Sequence, residues 1–118
     1  NPENDVADII HTYCDRIAFA HIRNLRHYPN GDFSEVSHRD CDGDTGILEI
    51  MRAYHDCGYT GYVRPDHGRH LWGEESTAGR DTVYDRALGI MYLWGCWDML
   101  ERLEPDSGQL RSISSDAK

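Results

Sequence analysis

The stretch RPDHGRHLWGE, residues 64–74, sets Asp66, His67, His70 and Glu74 behind a proline and among two glycines. Imidazole and carboxylate together are ligand types for a divalent transition metal such as Mn, Fe or Zn. Histidine titrates near neutrality, so His67, directly after Asp66, also suits general acid or base work. Of the seven histidines, His21, His27, His38, His67 and His70 fall at a strand end or in polar loops. Only His11 and His55 lie in predicted helices. A lone strand histidine is more often a satisfied core residue than a ligand, so it is the grouping of five that favours a site. His21 and Asp66 are the best placed as ligands, because each stands where a strand meets a loop. His70 and Glu74 are weaker candidates, Glu74-Glu75 reading as a solvated turn. His27 has no clear role.

Arginine is the natural bidentate partner of a carboxylate substrate, and Arg23, Arg64 and Arg69 border the same loops. The alternative for each is a salt bridge to one of the many Asp residues. Cys41 is a possible soft ligand, but the carboxylates of Asp40 and Asp42 oppose a thiolate there, so it is not read as a nucleophile. The cysteines at 14, 41, 57 and 96 show no C-x-x-C spacing. They are expected to be free thiols of a reducing cytoplasm, with Cys57 and Cys96 in the core.

Elements must hold these residues in place. Val6, Ile9, Ile10 and Tyr13 recur with helical spacing, and Asn4 or Asp5 is a suitable N-cap. RIAFAHIRN, residues 16–24, is apolar on alternate positions of both parities and reads as a strand buried on both faces. Residues 23–44 read as a long loop. TGILEIMRAYHDCG places Ile47, Leu48, Ile50, Met51 and Tyr54 on one helical face, with Gly58 at the stop. YTGYVR is a second strand ended by Pro65. A polar loop covers 66 to about 80. A helix over 82–102 is apolar nearly all round and is expected to be well covered.

The order helix, strand, helix, strand, helix implies parallel strands with right-handed crossovers. The loops leaving the strands are long and the return from the middle helix is short. That polarity suits a (β/α)₈ barrel, which carries its active site at the C-terminal ends of its strands. A barrel takes roughly 250 residues, and this chain has 118. The expectation is an α/β chain holding the C-terminal βα units of an incomplete TIM barrel: 1–104 the C-terminal portion of a catalytic domain, 105–118 a flexible acidic tail. A small independent α/β sandwich is the alternative, at the price of two open sheet edges.

The net charge is -9, from 14 Asp, 7 Glu, 11 Arg and one Lys, the last residue. Near absence of Lys with Asp favoured over Glu suggests a protein that works in high salt, where self-repulsion is screened. An acidic balance argues against a nucleic-acid partner. No apolar run approaches the length of a membrane span, and the polar, acidic stretch of residues 1–8 is not expected to act as a signal peptide.

Four segments carry a resemblance: FAHIRN at 19–24, FSEVSH at 33–38, GYTGYVRPDHGR at 58–69 and YDRALGIMYLWGCWDML at 84–100. Together they resemble the C-terminal part of the mannonate dehydratase family, metal-dependent (β/α)₈ barrels related in fold to xylose isomerase. The resemblance implies loss of water from D-mannonate to give 2-keto-3-deoxy-D-gluconate in hexuronate (glucuronate) breakdown. It also implies a cytoplasmic lyase with Mn²⁺ or Fe²⁺, homo-oligomeric at full length, acting on a small sugar acid. It makes His21 and Asp66 metal ligands and His67 a proton-transfer residue. Arg23, Asn24, His38 and Arg64 are then candidates for substrate binding. The chain departs from the family at two places. The other metal ligands, a cysteine among them, lie upstream, and none of the four cysteines here stands at that place. The family's Gly-Tyr pair is replaced by Arg80-Asp81, and the nearest tyrosine is Tyr84, which reads either as the catalytic tyrosine or as a packed helix residue. Such a fragment is expected to be inactive alone. The rival readings are another xylose-isomerase-like isomerase or epimerase, and a non-catalytic acidic α/β domain.

Overall fold

The computed structural model describes residues 3–76 and 82–103. The expected acidic tail, 105–118, and the Arg80-Asp81 pair lie outside the described residues. Helix α1 (Val6–Tyr13) is capped by Asp5, whose carboxylate accepts from the Asp8 N–H at 3.0 Å. Strand β1 (Phe19–Ile22) follows, then a short antiparallel hairpin of β2 (Leu25–His27) and β3 (Phe33–Glu35). Helix α2 (Ile47–Asp56) leads through Gly58 to β4 (Tyr62–Pro65). Helix α3 (Val83–Arg102) ends the described chain.

β1 and β4 pair in parallel, Phe19 opposite Tyr62 and His21 opposite Arg64, with α2 as the crossover between them. Parallel neighbours need such a crossover because no tight turn can return the chain in the same direction. Gly58 makes the return short. Its φ of +73° is a left-handed conformation open to glycine at little cost, and its N–H closes on His55 O at 3.0 Å.

The core lies between the helices and one face of the β1–β4 pair. Ile10 comes from α1, Ala20 and Ile22 from β1, Ile47, Ile50, Met51, Ala53 and Tyr54 from α2, and Leu93 and Cys96 from α3. Asp85, Gly89, Leu93 and Cys96 are the buried positions of α3. That spacing is one stripe of a helix.

β1 is covered on one face, not two: Ala20 and Ile22 are buried while Phe19 and His21 are exposed. Tyr62 and Arg64 of β4 are exposed on the same face. Leu48 turns outward, and α3 leaves Leu88, Ile90, Met91, Trp94 and Met99 exposed, because its neighbours cover only the one stripe. Residues 23–44 are not all loop, since they contain the β2–β3 hairpin. Strands of three residues are too short to show a period, and only the Pro29-Asn30-Gly31 tip marked a turn. Cys14 and Cys57 are not free thiols. They form a disulfide that joins the end of α1 to the end of α2. Cys41 and Cys96 are free, the first exposed and the second buried. No helix among the described residues is long and apolar enough to cross a membrane.

Candidate functional site

Side chains alternate across a strand, so His21, Tyr62 and Arg64 share the exposed face of the parallel pair. The Asp66 N–H donates to Ile22 O at 2.9 Å and carries the ladder one step beyond β4. By the same alternation Asp66 falls on the face of His21 and Arg64. Its Oδ1 lies 3.3 Å from His21 Nδ1 and 3.8 Å from His67 Nε2. One carboxylate thus stands between two imidazoles at the C-terminal end of the strands. The Phe19 ring meets the His21 ring edge-on at 4.7 Å.

Arg64 is exposed on the same face and forms no ion pair among the described residues. Arg23 is already engaged: its Nη2 lies 2.7 Å from Glu35 Oε1, and the guanidinium stacks over Phe33. Asn24 is buried, donating from Nδ2 to Ser37 O at 2.8 Å and Arg39 O at 2.9 Å, so it pins the segment after the hairpin. His38 is buried beneath the strand end, its Nε2 2.9 Å from Ile22 O and its ring against Gly89 of α3. His27 pairs with Asp44 at 2.6 Å on the hairpin. The His27 backbone N–H, and after it the imidazole, hold the Asp44 carboxyl below the usual range. The five loop histidines therefore do not converge. His21 and His67 flank Asp66, and the others have partners elsewhere or stand apart.

Tyr84 lies in the first turn of α3, half exposed, with its ring 5.2 Å from that of Trp72. Glu74 is the clearest surprise of the loop. Far from a solvated turn, it is buried, and its carboxylate accepts from Leu71 N at 2.9 Å, Val83 N at 2.6 Å and Tyr84 N at 3.4 Å. It caps α3 from outside the helix and satisfies otherwise orphan N–H groups. Burial pushes its carboxyl up, but these N–H donors outweigh that and leave it below the usual range.

The sequence reading missed Asp85. It is 1% exposed and accepts from Arg69 N at 2.6 Å, Arg69 Nε at 3.0 Å and Arg69 Nη2 at 3.1 Å. Burial raises its carboxyl, yet the Arg69 fork and N–H hold it low. Acidic residues are ordinary in a first helical turn, so nothing in the sequence set Asp85 apart.

The profile of the D-mannonate dehydratase (UxuA) family matches residues 1–107. The chain belongs to that family. It is 58% identical over 109 residues to mannonate dehydratase 1 of Bacillus licheniformis, a match covering 92% of this chain and 30% of that protein. It is 59% identical over 101 residues to the mannonate dehydratase of Shouchella clausii, covering 86% of this chain and 28% of that one. The crystal structure of mannonate dehydratase from Streptococcus suis superposes on all of the chain and 34% of its own, with a TM-score of 0.72 and 28% identity. The chain thus spans about 30% of the length of the curated relatives it matches.

His21 and Asp66 are of types that could hold a metal ion. Two donors on one octahedral ion at ~2.1 Å stand about 3 Å apart. The 3.3 Å between His21 Nδ1 and Asp66 Oδ1 is compatible with a shared ion. No group of three or more His, Cys, Asp or Glu residues able to hold a metal occurs among the described residues. These two side chains could be at most two of an ion's ligands, and the rest would have to come from elsewhere.

Proposed function

We propose that this chain is the C-terminal part of a mannonate dehydratase, with residues 1–104 supplying the last βα units of a (β/α)₈ barrel. The observation that carries the activity is the Asp66 carboxylate between His21 and His67 at the strand ends, in a chain of this family. The parallel β1–β4 pair, the exposed apolar residues of α3 and a groove of about 350 Å³ lined in part by Tyr62, Ile90 and Trp94 support further strands and helices beside it.

The reaction removes the C2 proton and the C3 hydroxyl of D-mannonate as water, and the resulting enol becomes the 2-keto product. Arg64, exposed on the site face, is suited to hold the substrate carboxylate bidentately. His67, the more exposed of the two imidazoles, carries one of the two proton transfers. His21 and Asp66 would hold Mn²⁺ or Fe²⁺, which when bound supplies stabilisation of negative charge developing beside the carboxylate. Tyr84 is the candidate for the second proton transfer; its ring packs on Trp72, which follows His67 in the same loop. Arg23, Asn24 and His38, engaged by protein partners, act by shaping the rim. The Asp-rich, Lys-poor composition supports work in high salt.

The test is turnover of D-mannonate by the native gene product loaded with Mn²⁺, compared with aldoses and with the isolated 118-residue chain. Dehydration of D-mannonate by the gene product, lost in His67→Gln and absent from the isolated chain, is the expected result. Turnover of an aldose in place of D-mannonate would replace this reading with a sugar isomerase.

A further inference from the structure

Asp66 is the last residue that the parallel ladder holds, through Ile22 O at 2.9 Å. Beyond it the chain leaves the sheet, and His67 projects from a segment with no strand partner. What holds that segment is the first turn of α3. Arg86 Nε donates to Asp66 O at 3.2 Å. One residue earlier, Asp85 takes the Arg69 backbone N–H at 2.6 Å and both edges of its guanidinium fork at 3.0 and 3.1 Å. Gly68 lies flat on Asp85, so close that a Cβ there would stand 2.8 Å from Asp85 Cβ and 3.1 Å from its Oδ2. The segment 66–69 is thus seated at both ends on two successive residues of one helix.

We propose that Asp85 is a positioning residue which sets where Asp66 and His67 stand, acting through Gly68 and Arg69; the inference rests on the reading that Asp66 and His67 form the site. A salt bridge kept for stability alone has no need of the backbone bond. Asp85 takes the N–H as well as the side chain, and so fixes the main chain two residues beyond His67. The bidentate geometry adds direction that a lysine or an amide cannot reproduce. Asp85 is buried but the Arg69 side chain is 41% exposed; a partly solvated ion pair adds little net stability, and a role in specifying one geometry fits this pair better. Reactive groups tolerate little displacement. A shift of roughly 1 Å can cost about 100-fold in rate, and loss of a group that orients a metal ligand typically costs about 10- to 100-fold in affinity or activity.

The experiment uses the native gene product with Asp85→Asn, Arg69→Lys and, as a control, Leu93→Ala, which truncates the core on the same helix. The readouts are the Mn²⁺ dissociation constant, from the paramagnetic resonance of free Mn²⁺, and kcat and KM for D-mannonate. Both are taken where circular dichroism shows each variant fully folded. Asp85→Asn should weaken Mn²⁺ binding and lower kcat, each by about 10- to 100-fold, with KM changed much less. Arg69→Lys should follow in the same direction. Leu93→Ala should lower Tm and leave the Mn²⁺ constant unmoved. An Asp85→Asn protein that loses Tm but keeps wild-type Mn²⁺ binding and kcat overturns the proposal. Should that variant fail to fold, an Arg69→Lys protein with wild-type values does the same. A wild type that binds Mn²⁺ without dehydrating D-mannonate overturns the functional reading, and the comparison of Mn²⁺ constants still decides the role of Asp85. A wild type that binds no Mn²⁺ overturns both.

Discussion

Two glycines in α3 should respond to the same substitution with opposite signs. Glycine inside a helix is about 0.8–1 kcal/mol less favourable than alanine. At Gly95 an added Cβ meets nothing within 4 Å. Gly95→Ala should therefore stabilise the protein by up to ~1 kcal/mol. At Gly89 the same methyl would stand 2.5 Å from His38 Nδ1 and 2.8 Å from Cε1. The His38 ring is 2% exposed and its Nε2 is tied to Ile22 O, so it cannot swing aside without losing a buried hydrogen bond. Overpacking costs about 1–3 kcal/mol, and a buried polar group left unsatisfied about 1–3 more. Against the propensity gain, Gly89→Ala should destabilise by roughly 1–5 kcal/mol. Urea unfolding of the two variants, followed by circular dichroism, measures the difference directly. The cause is checked by a cycle: in a His38→Ala background the penalty of Gly89→Ala should vanish. A Gly89→Ala protein as stable as wild type, or a penalty that persists without the His38 ring, would refute the packing argument.

The Cys14–Cys57 bond closes a loop with a sequence separation of 43. On the chain-entropy account that is worth up to about 4 kcal/mol, so dithiothreitol should lower the urea midpoint of wild type and leave Cys14→Ser/Cys57→Ser unmoved. Equal midpoints with and without reductant would remove the bond from the stability of the fold. Glu74→Gln should lower Tm at neutral pH, since it removes the charge that accepts from the start of α3. The Glu74 carboxyl is held below its ordinary value near 4.5, so its contribution is full above that pH and lost as pH falls below it. The gap in Tm between Glu74→Gln and wild type should accordingly close in acid, and a gap independent of pH would contradict the assignment. His21→Ala and Asp66→Asn should each lower the Mn²⁺ content of the native gene product after dialysis. Unchanged content in both would end the ligand assignment.

Much of the organisation was legible in the sequence because it rests on local rules. Helical spacing marked α1 and α2, a long segment apolar nearly all round marked α3, Asp5 was one of two recognisable caps, and Gly58 marked the end of α2. The alternation of helices and strands implied the parallel pairing of β1 with β4. Asp66 and His67 stood out because a histidine follows a carboxylate just past a strand, and the structure sets the Asp66 carboxylate beside both His21 and His67.

Tertiary structure decided what each polar residue does with its bonding capacity. Glu74 and Asp85 look like surface acids in one dimension, yet both are buried and hold the ends of the loop that carries His67. Whether an acid is solvated or captured depends on which N–H groups arrive next to it, and these came from residues 3 to 16 positions away. Cys14 and Cys57 show the same limit, since no local spacing joins residues that meet only when α1 and α2 pack. Which face of β1 or α3 is covered is likewise a property of neighbours rather than of pattern. The sequence by itself determined the elements and the chemistry available to them, because propensity and periodicity act along the chain. Only packing in three dimensions decided that Asp66 would stand between two imidazoles, and that Arg23, Asn24 and His38 would be held by the protein itself.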